Sequence, residues 1–243
     1  MKGVILGICP EAQLVDISHE IKPFAVAQAA YTLAQTWECF PKRTVHLVVV
    51  DPGVGGSRRP ILAEAGGHSF VGPDNGVLTM ALTADCRARV REITASLYFR
   101  EPVSRTFHGR DIFAPVAAHR ASGVAVSRFG GRIEDCVQLE GVEPVGESGN
   151  AWRGTVLHVD HFGNLITNFG WKEFGWIAGE RFLLRVGSRS LRQYCRDYGS
   201  APLGEPFAIR GSAGYVEISV NKGDASQLLK VEAGAFIVLK KKQ

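Results

Sequence analysis

Asp51 and Arg58 stand seven residues apart in HLVVVDPGVGGSRR, with Gly53, Gly55 and Gly56 between them. A stretch this rich in glycine can fold tightly enough to bring an acid and a guanidinium to one spot, where the arginine would hold the carboxylate ionised and in one rotamer. The apolar run that precedes Asp51 reads as a buried strand, and a strand ending on an aspartate delivers a carboxylate to the sheet edge where ligands of open α/β folds sit. The same spacing also suits a purely structural ion pair at a tight turn. The loop is not a phosphate cradle, since neither GxxxxGK nor GxGxxG occurs in it.

Three further clusters carry groups capable of chemistry. In TFHGRD, Thr106 to Asp111, His108 stands beside Gly109 ahead of an expected helix, whose start favours anions and keeps a nearby imidazole neutral. Alone His108 would merely cap or pack; with Asp51 and Arg58 it becomes a candidate for holding a water. In HVDHFGNLITN, alternation puts His158 and Asp160 on one strand face and His161 on the other. Two histidines and an aspartate suggest a metal, yet one strand cannot easily aim three ligands at one ion and no second ligand cluster accompanies them. Polar recognition by Asp160 and Asn164 is the preferred expectation, and an Asx turn relieved by Gly163 is the plain alternative. In SAGYVEISVNKGDA, the Asn221 amide offers donor and acceptor together and could read a purine edge, or do ordinary turn work.

The elements that must position these groups follow from hydrophobic period. Strands are expected at Val4–Ile8, Leu14–Ile17 and Val45–Val50, with a hairpin of Ile61–Ala63 and Ser69–Val71 around Gly66 and Gly67. Helices are expected at Ala25–Phe40, from Asn75 to Leu82, and at Ile112–Ala121 with Asp111 as N-cap. This half is α/β. GVEPVGESG, Gly141 to Gly149, has no hydrophobic period and reads as a linker. Beyond it short alternating runs (Gly154–Val159, Asn164–Asn168, Arg181–Val186, Pro206–Ile209, Tyr215–Val220, Ala235–Leu239) predict a small antiparallel barrel or sandwich. The expected division is an α/β domain over residues 1–140, a linker over 141–151 and a β domain over 152–243.

Bulk properties narrow the class. The 243 residues are 45% hydrophobic, enough for a well-buried core. Much of the net charge of +4 comes from Lys240, Lys241 and Lys242, and without interleaved aromatics this reads as a solvated tail rather than a nucleic-acid surface. Five scattered cysteines with no CxxC pair suit free thiols in a reducing cytoplasm. No apolar run approaches the ~18 residues of a membrane span, and no signal peptide is evident. The expectation is a cytoplasmic protein with neither nucleic-acid nor membrane partners.

At these segments the chain resembles the S-adenosylmethionine hydroxide adenosyltransferases, a family similar in turn to fluorinases and chlorinases. The resemblance runs through MKGVILGICPEAQLVDISHEI, Pro23–Phe24, VVVDPGVGG, VGPDNGVL, TFHGRDIFAP, DHFGNLITN and SAGYVEISVNKGDA. It implies an α/β domain followed by a small antiparallel β-barrel. It also implies cleavage of S-adenosyl-L-methionine to adenosine and methionine by water or hydroxide attacking the 5′ carbon. The family's Asp, Arg and His fall on Asp51, Arg58 and His108, a trio that the halogenating relatives lack. By the same resemblance Phe24, Phe107 and Gly109 line the ribose and the reacting carbon. Tyr198 stacks on adenine, Asn164 and Asn221 read its edge, Asp160 meets the methionine ammonium and Ser212 the polar end of methionine. Core packing is the competing role for Phe24 and Phe107. No cofactor and no metal are implied, and the assembly implied is a homotrimer with sites between subunits.

Members of the family usually carry a strand and a TDFG-like segment ahead of MKG, whereas this sequence starts at Met1 of that motif. The first domain is therefore expected to lack an N-terminal strand and to show an apolar gap or an exposed sheet edge. Two alternatives accompany the hydrolase reading: a relative that binds adenosine or S-adenosylmethionine without turnover, and a metal-dependent hydrolase built on His158, Asp160 and His161.

Overall fold

In the computed structural model, which describes residues 1–242, the apolar run before Asp51 becomes β1 (Val45–Leu47), an edge strand. It lies parallel to β3, and the other pairings in its sheet are antiparallel. With β2 (Pro60–Ala65), β3 (His68–Pro73), β4 (Arg89–Glu92) and β5 (Arg132–Ile133), the order is β1-β3-β2-β4-β5. The expected hairpin forms between β2 and β3 around Gly66 and Gly67, each of which takes positive φ. Period-two alternation sends Ile61, Ala63 and Phe70 to one face and Leu62 and Val71 to the other. The first face is covered by α2 (Val26–Thr36) and α3 (Thr79–Thr83), the second by α4 (Ala114–Ala121). These elements belong to the first of two compact units, Met1–Leu139.

Three local expectations are corrected. Val4–Ile8 is not a strand but most of helix α1 (Lys2–Ile8): Val4, Ile5 and Ile8 recur at helical spacing and pack toward Ala114 and Ala118 of α4. A short apolar run does not by itself separate the two periods. Leu14–Ile17 forms no strand, having no ladder partner, and Leu14, Val15 and Ile17 stay exposed. Asp111 caps no helix. It lies inside a wide π-type turn, Gly109–Phe113, that runs into α4.

The second unit, Glu140–Gln243, is a curved antiparallel sheet. Its strands are β6 (Val145–Glu147), β7 (Ala151–Val159), β8 (Leu165–Gly170), β9 (Phe182–Val186), β10 (Arg189–Leu191), β11 (Pro206–Arg210), β12 (Tyr215–Val220) and β13 (Phe236–Lys241). The path is β10-β9-β13-β7-β8-β12-β11 with β6 on β7, and a bridge from Tyr194 to Ala208 of β11 nearly closes it into a barrel. Val156, Leu165, Phe169, Leu184, Val216, Ile218 and Ile237 fill the interior. Two short helices, α5 (Trp171–Phe174) and α6 (Ala225–Leu229), complete the unit. Part of the stretch read as a linker is thus strand β6. No helix among the described residues is long and apolar enough to cross a membrane.

One polar pair sits inside the first core. His46 Nε2 and His68 Nδ1 are 3.1 Å apart, both rings are buried, and His46 stacks on Phe70 at 4.9 Å. Burial, then the neighbouring His68, pushes His46 down to about 4 from an ordinary 6.5. The unfolded chain therefore binds a proton at a pH where the folded chain does not. The stability from keeping His46 neutral is whole above about 6.5 and is lost as pH falls through about 4, up to ~3 kcal/mol in all. Urea unfolding between pH 8 and 4 should show this decline, and His46→Gln should flatten it. An equally steep decline in the variant would assign the acid sensitivity elsewhere.

Candidate active site

Asp51 lies just past β1, where Asn75 Nδ2 donates to the Val50 carbonyl at 2.8 Å and pins the chain. The glycine-rich loop then turns back on itself, and Arg58 meets Asp51 as a two-pronged fork: Nε donates to Oδ1 at 2.9 Å and Nη2 donates to Oδ2. Both side chains are nearly buried, at 9% exposure for Arg58 and 6% for Asp51. The same Nη2 lies 2.7 Å from His108 Nδ1. A guanidinium has no lone pair to accept with, so Nδ1 is the acceptor and the neutral imidazole carries its proton on Nε2. One arginine thus fixes the rotamer of an acid and the tautomer of a histidine.

Two loops must touch for this to happen, and a glycine makes it possible. Gly55 takes φ +76°, and a Cβ there would fall 2.2 Å from the Arg105 carbonyl oxygen, so the turn carrying Arg58 can pack flat against the segment carrying His108 only with a bare Cα. The second loop is held by Asp111. Its wholly buried carboxylate accepts from Arg110 Nε at 2.7 Å, from Arg100 Nη1 at 3.3 Å and from the Ser104 amide at 2.9 Å. Those bonds explain why Asp111 is not a helix cap: its oxygens fasten residues 100–111 into the loop that presents His108. Beneath the fork, the Phe113 ring lies 5.1 Å from the Arg58 guanidinium carbon.

The electrostatics favour a neutral His108. Burial lowers its pKa from 6.5 first, the Arg58 charge lowers it further, and Asp51 and Asp111 pull the other way. Around the trio, Gly109 is buried, a Cβ on it meeting Met1 Sδ at 3.0 Å and Val49 Cγ1 at 3.3 Å. Phe107 is 46% exposed and Phe24, at φ +68°, is 76% exposed, so neither ring is a core residue. 

The remaining sequence candidates lie in the second unit. Asp160 follows β7 in a tight turn: Oδ1 accepts from the Phe162 and Asn164 amides, and Oδ2 accepts from Asn164 Nδ2 at 2.9 Å. Its oxygens already hold the turn, which leaves little for a metal. Among the described residues no three His, Cys, Asp or Glu side chains are placed to hold one. His158 lies on β7 and His161 on the exposed turn. Asn164 Nδ2 also reaches the Tyr198 hydroxyl at 3.4 Å, Asn221 Nδ2 donates to the Ala201 carbonyl at 2.7 Å, and Ser212 is exposed. Asn164, Tyr198 and Asn221 therefore belong to a single neighbourhood of the barrel, linked by the Asn164–Tyr198 contact and by Ala201, whose amide donates to the Tyr198 carbonyl.

Sequence reading passed over Asp111, Phe113 and Glu217 as site residues. Glu217 carries the clearest signal, a lone acid in the middle of an apolar strand, and it is buried at 8% exposure. Burial first, and then Asp160, raises its carboxyl to about 7.

Comparison with known proteins places the chain in a family. Residues 1–130 match the SAM hydroxide adenosyltransferase N-terminal domain and residues 154–238 the C-terminal domain of the same family. The (R)-S-adenosyl-L-methionine hydrolase of Salinispora arenicola is 38% identical over 241 residues, covering 96% of this chain and 88% of the relative. A crystal structure of an uncharacterized conserved protein from Thermotoga maritima superposes with TM-score 0.87 at 40% identity, covering 98% of this chain and 93% of that one. A fluorinase of Actinoplanes is a more distant relative, 24% identical over 272 residues, or 99% of this chain and 91% of its own.

Replacing Arg58 by Gln removes the cation that lowers His108 and leaves the two acids that raise it. The His108 pKa, followed by NMR titration, should move up from its depressed value. An unchanged titration would mean that the guanidinium does not act on the imidazole.

Proposed function

The chain belongs to the SAM hydroxide adenosyltransferase family, and from that premise we propose that it hydrolyses S-adenosyl-L-methionine to adenosine and L-methionine. The observation that carries this reading is the convergence of Asp51, Arg58 and His108 on one guanidinium. A sulfonium leaves as a neutral thioether, so the leaving group needs no proton and the protein needs no general acid. What remains is to place one water in line with the departing sulfur, about 3 Å from the 5′ carbon. The His108 Nε2–H donates to the water oxygen, Asp51 accepts one of its hydrogens through a lone pair not used by Arg58, and Arg58 holds both groups in register. As the C5′–O bond forms and the C5′–S bond breaks, the electron pair goes to sulfur and the water proton passes through Asp51 to solvent.

The substrate contacts follow the same proposal. Phe24, Phe107 and Gly109 surround the ribose and the reacting carbon, where exclusion of water strengthens each local interaction. Tyr198 stacks on adenine, while Asn164, through its remaining oxygen, and Asn221 read the adenine edge. Asp160 and Ser212 serve the methionine end. The working unit is a homotrimer in which the first unit of one subunit faces the second unit of its neighbour, in the cytoplasm, with neither metal nor cofactor in the reaction. Nothing in the chemistry calls for a nucleic-acid or membrane partner.

Purified protein incubated with S-adenosyl-L-methionine, its two sulfonium epimers supplied separately, should yield adenosine and methionine in equal amounts from the epimer that it accepts, at a rate indifferent to chelator. Adenosine binding without product would favour a relative that only holds the nucleoside. Loss of the rate in chelator would favour metal-assisted hydrolysis. Asp51→Asn and His108→Ala should each lower kcat by ~100-fold or more while adenosine affinity changes little; parallel loss of both would assign them to folding. Because His108 acts neutral and its pKa is lowered, kcat should hold through neutral pH and fall on the acid side with a midpoint below 6.5.

A further inference from the structure

Strand β12 carries two sets of side chains. Val216, Ile218 and Val220 enter the barrel interior, while Glu217 and Ser219 share the opposite face, which Asn221 continues. The cross-strand neighbours of Glu217 are Ile209 of β11 and Ile166 of β8, and that of Ser219 is Phe207, whose ring meets Tyr198 edge-on at 5.9 Å. An acid is thereby set among apolar walls on the face that also holds the proposed adenine residues.

The space for this acid is specific. A Cβ on Gly211 would fall 1.8 Å from Glu217 Oε1, so the carboxyl lies directly over a bare Cα, at the start of the segment that continues into Ser212. Burial bears on it first, and the charged group that adds to this, Asp160, is of the same sign; His158 of β7, opposite the same Ile166, is the titratable side chain in register with it. Two residues along, Ser219 Oγ is wholly buried and has no hydrogen-bond partner. A buried polar group without a partner is destabilising, so the Ser219 hydroxyl beside an acid that has no counter-charge marks a place where a ligand completes the bonding.

The ligand must bring a cation. A neutral nucleoside offers none, and in S-adenosylmethionine the sulfonium is required at the Asp51 trio, which leaves the α-ammonium. We propose that Glu217, together with Asp160, binds the substrate's α-ammonium and so discriminates the amino-acid-bearing sulfonium from simple adenosine derivatives. This rests on the hydrolase reading for the identity of the substrate. Asp160 alone is poorly suited to the task, since its oxygens already accept three N–H bonds within the turn. With the carboxyl raised to about 7 by burial and Asp160, arrival of an ammonium draws it into the ionised form, and binding releases part of a proton to the buffer.

The test is a two-by-two comparison by calorimetry. Wild type and Glu217→Gln are titrated with S-adenosyl-L-methionine and with 5′-methylthioadenosine, which lacks the amino acid. To keep binding separate from turnover, both are measured in an Asp51→Asn background. The amide mimics the protonated carboxyl that the fold already accommodates, and melting curves check that the variant folds. Glu217→Gln should weaken S-adenosylmethionine by ~10-fold or more, as loss of a charged hydrogen bond does, and leave 5′-methylthioadenosine unchanged. Equal weakening of both ligands, or of neither, would overturn the assignment. Failure of the wild type to form adenosine from S-adenosylmethionine would overturn the hydrolase reading instead, since the selective loss of affinity is read without catalysis.

Discussion

The first unit is organised around a single guanidinium in a nearly dry setting. Arg58 has little exposed surface, and its charge is balanced by Asp51 through two parallel bonds while a third N–H is directed at His108. Breaking such a pair would leave an uncompensated buried ion, which costs several kcal/mol and is far more than a surface ion pair contributes. That penalty keeps the two loops shut on each other, and much of the surrounding architecture serves to make the contact possible. Gly55 removes the clash with the Arg105 carbonyl, Asp111 gathers the histidine loop, Asn75 fixes the end of the approach from β1, and Phe113 provides a flat floor.

The pairing also settles a question of chemistry that composition leaves open. A histidine beside an aspartate is commonly read as a base relayed to an acid. Here the arginine lies between them, so Nδ1 faces a cation and Nε2 is left as a donor. In the reaction proposed above, the imidazole is then the group that orients the oxygen of the nucleophile, and the carboxylate is the group that accepts its proton. This suits a substrate whose leaving group departs neutral, because only one proton has to move and it moves away from the attacking oxygen.

How far this was legible in the sequence follows physical lines. Period-two alternation and paired glycines identified β2 and β3, and turn spacing identified most barrel strands, because those signals are local. Val4–Ile8 went astray because five residues rich in Val and Ile satisfy both strand and helix patterns, and only packing on α4 decides between them. The trio was legible as residue types, whereas the meeting of Arg58 with His108 depends on loops 50 residues apart in sequence, which no local pattern encodes. Asp111 was assigned to the wrong task for the same reason: a cap and a buried clamp look alike until the arginines that reach it are seen.

The barrel presents the complementary problem, an acid buried without a counter-charge. Asp160 and Asn164 satisfy each other within a turn, so their polarity is explained by the fold alone. Glu217 is not explained that way. An apolar residue of similar volume between Ile209 and Ile166 would avoid both the desolvation of a carboxyl and its repulsion from Asp160, and would stabilise the barrel by itself. On the assignment made above, the compensating interaction comes from the ammonium of the substrate. Stability in the first unit and its deficit in the second are therefore two expressions of one electrostatic rule: a buried charge persists only with a counter-charge, supplied by Arg58 in the first case and left for a ligand to supply in the second.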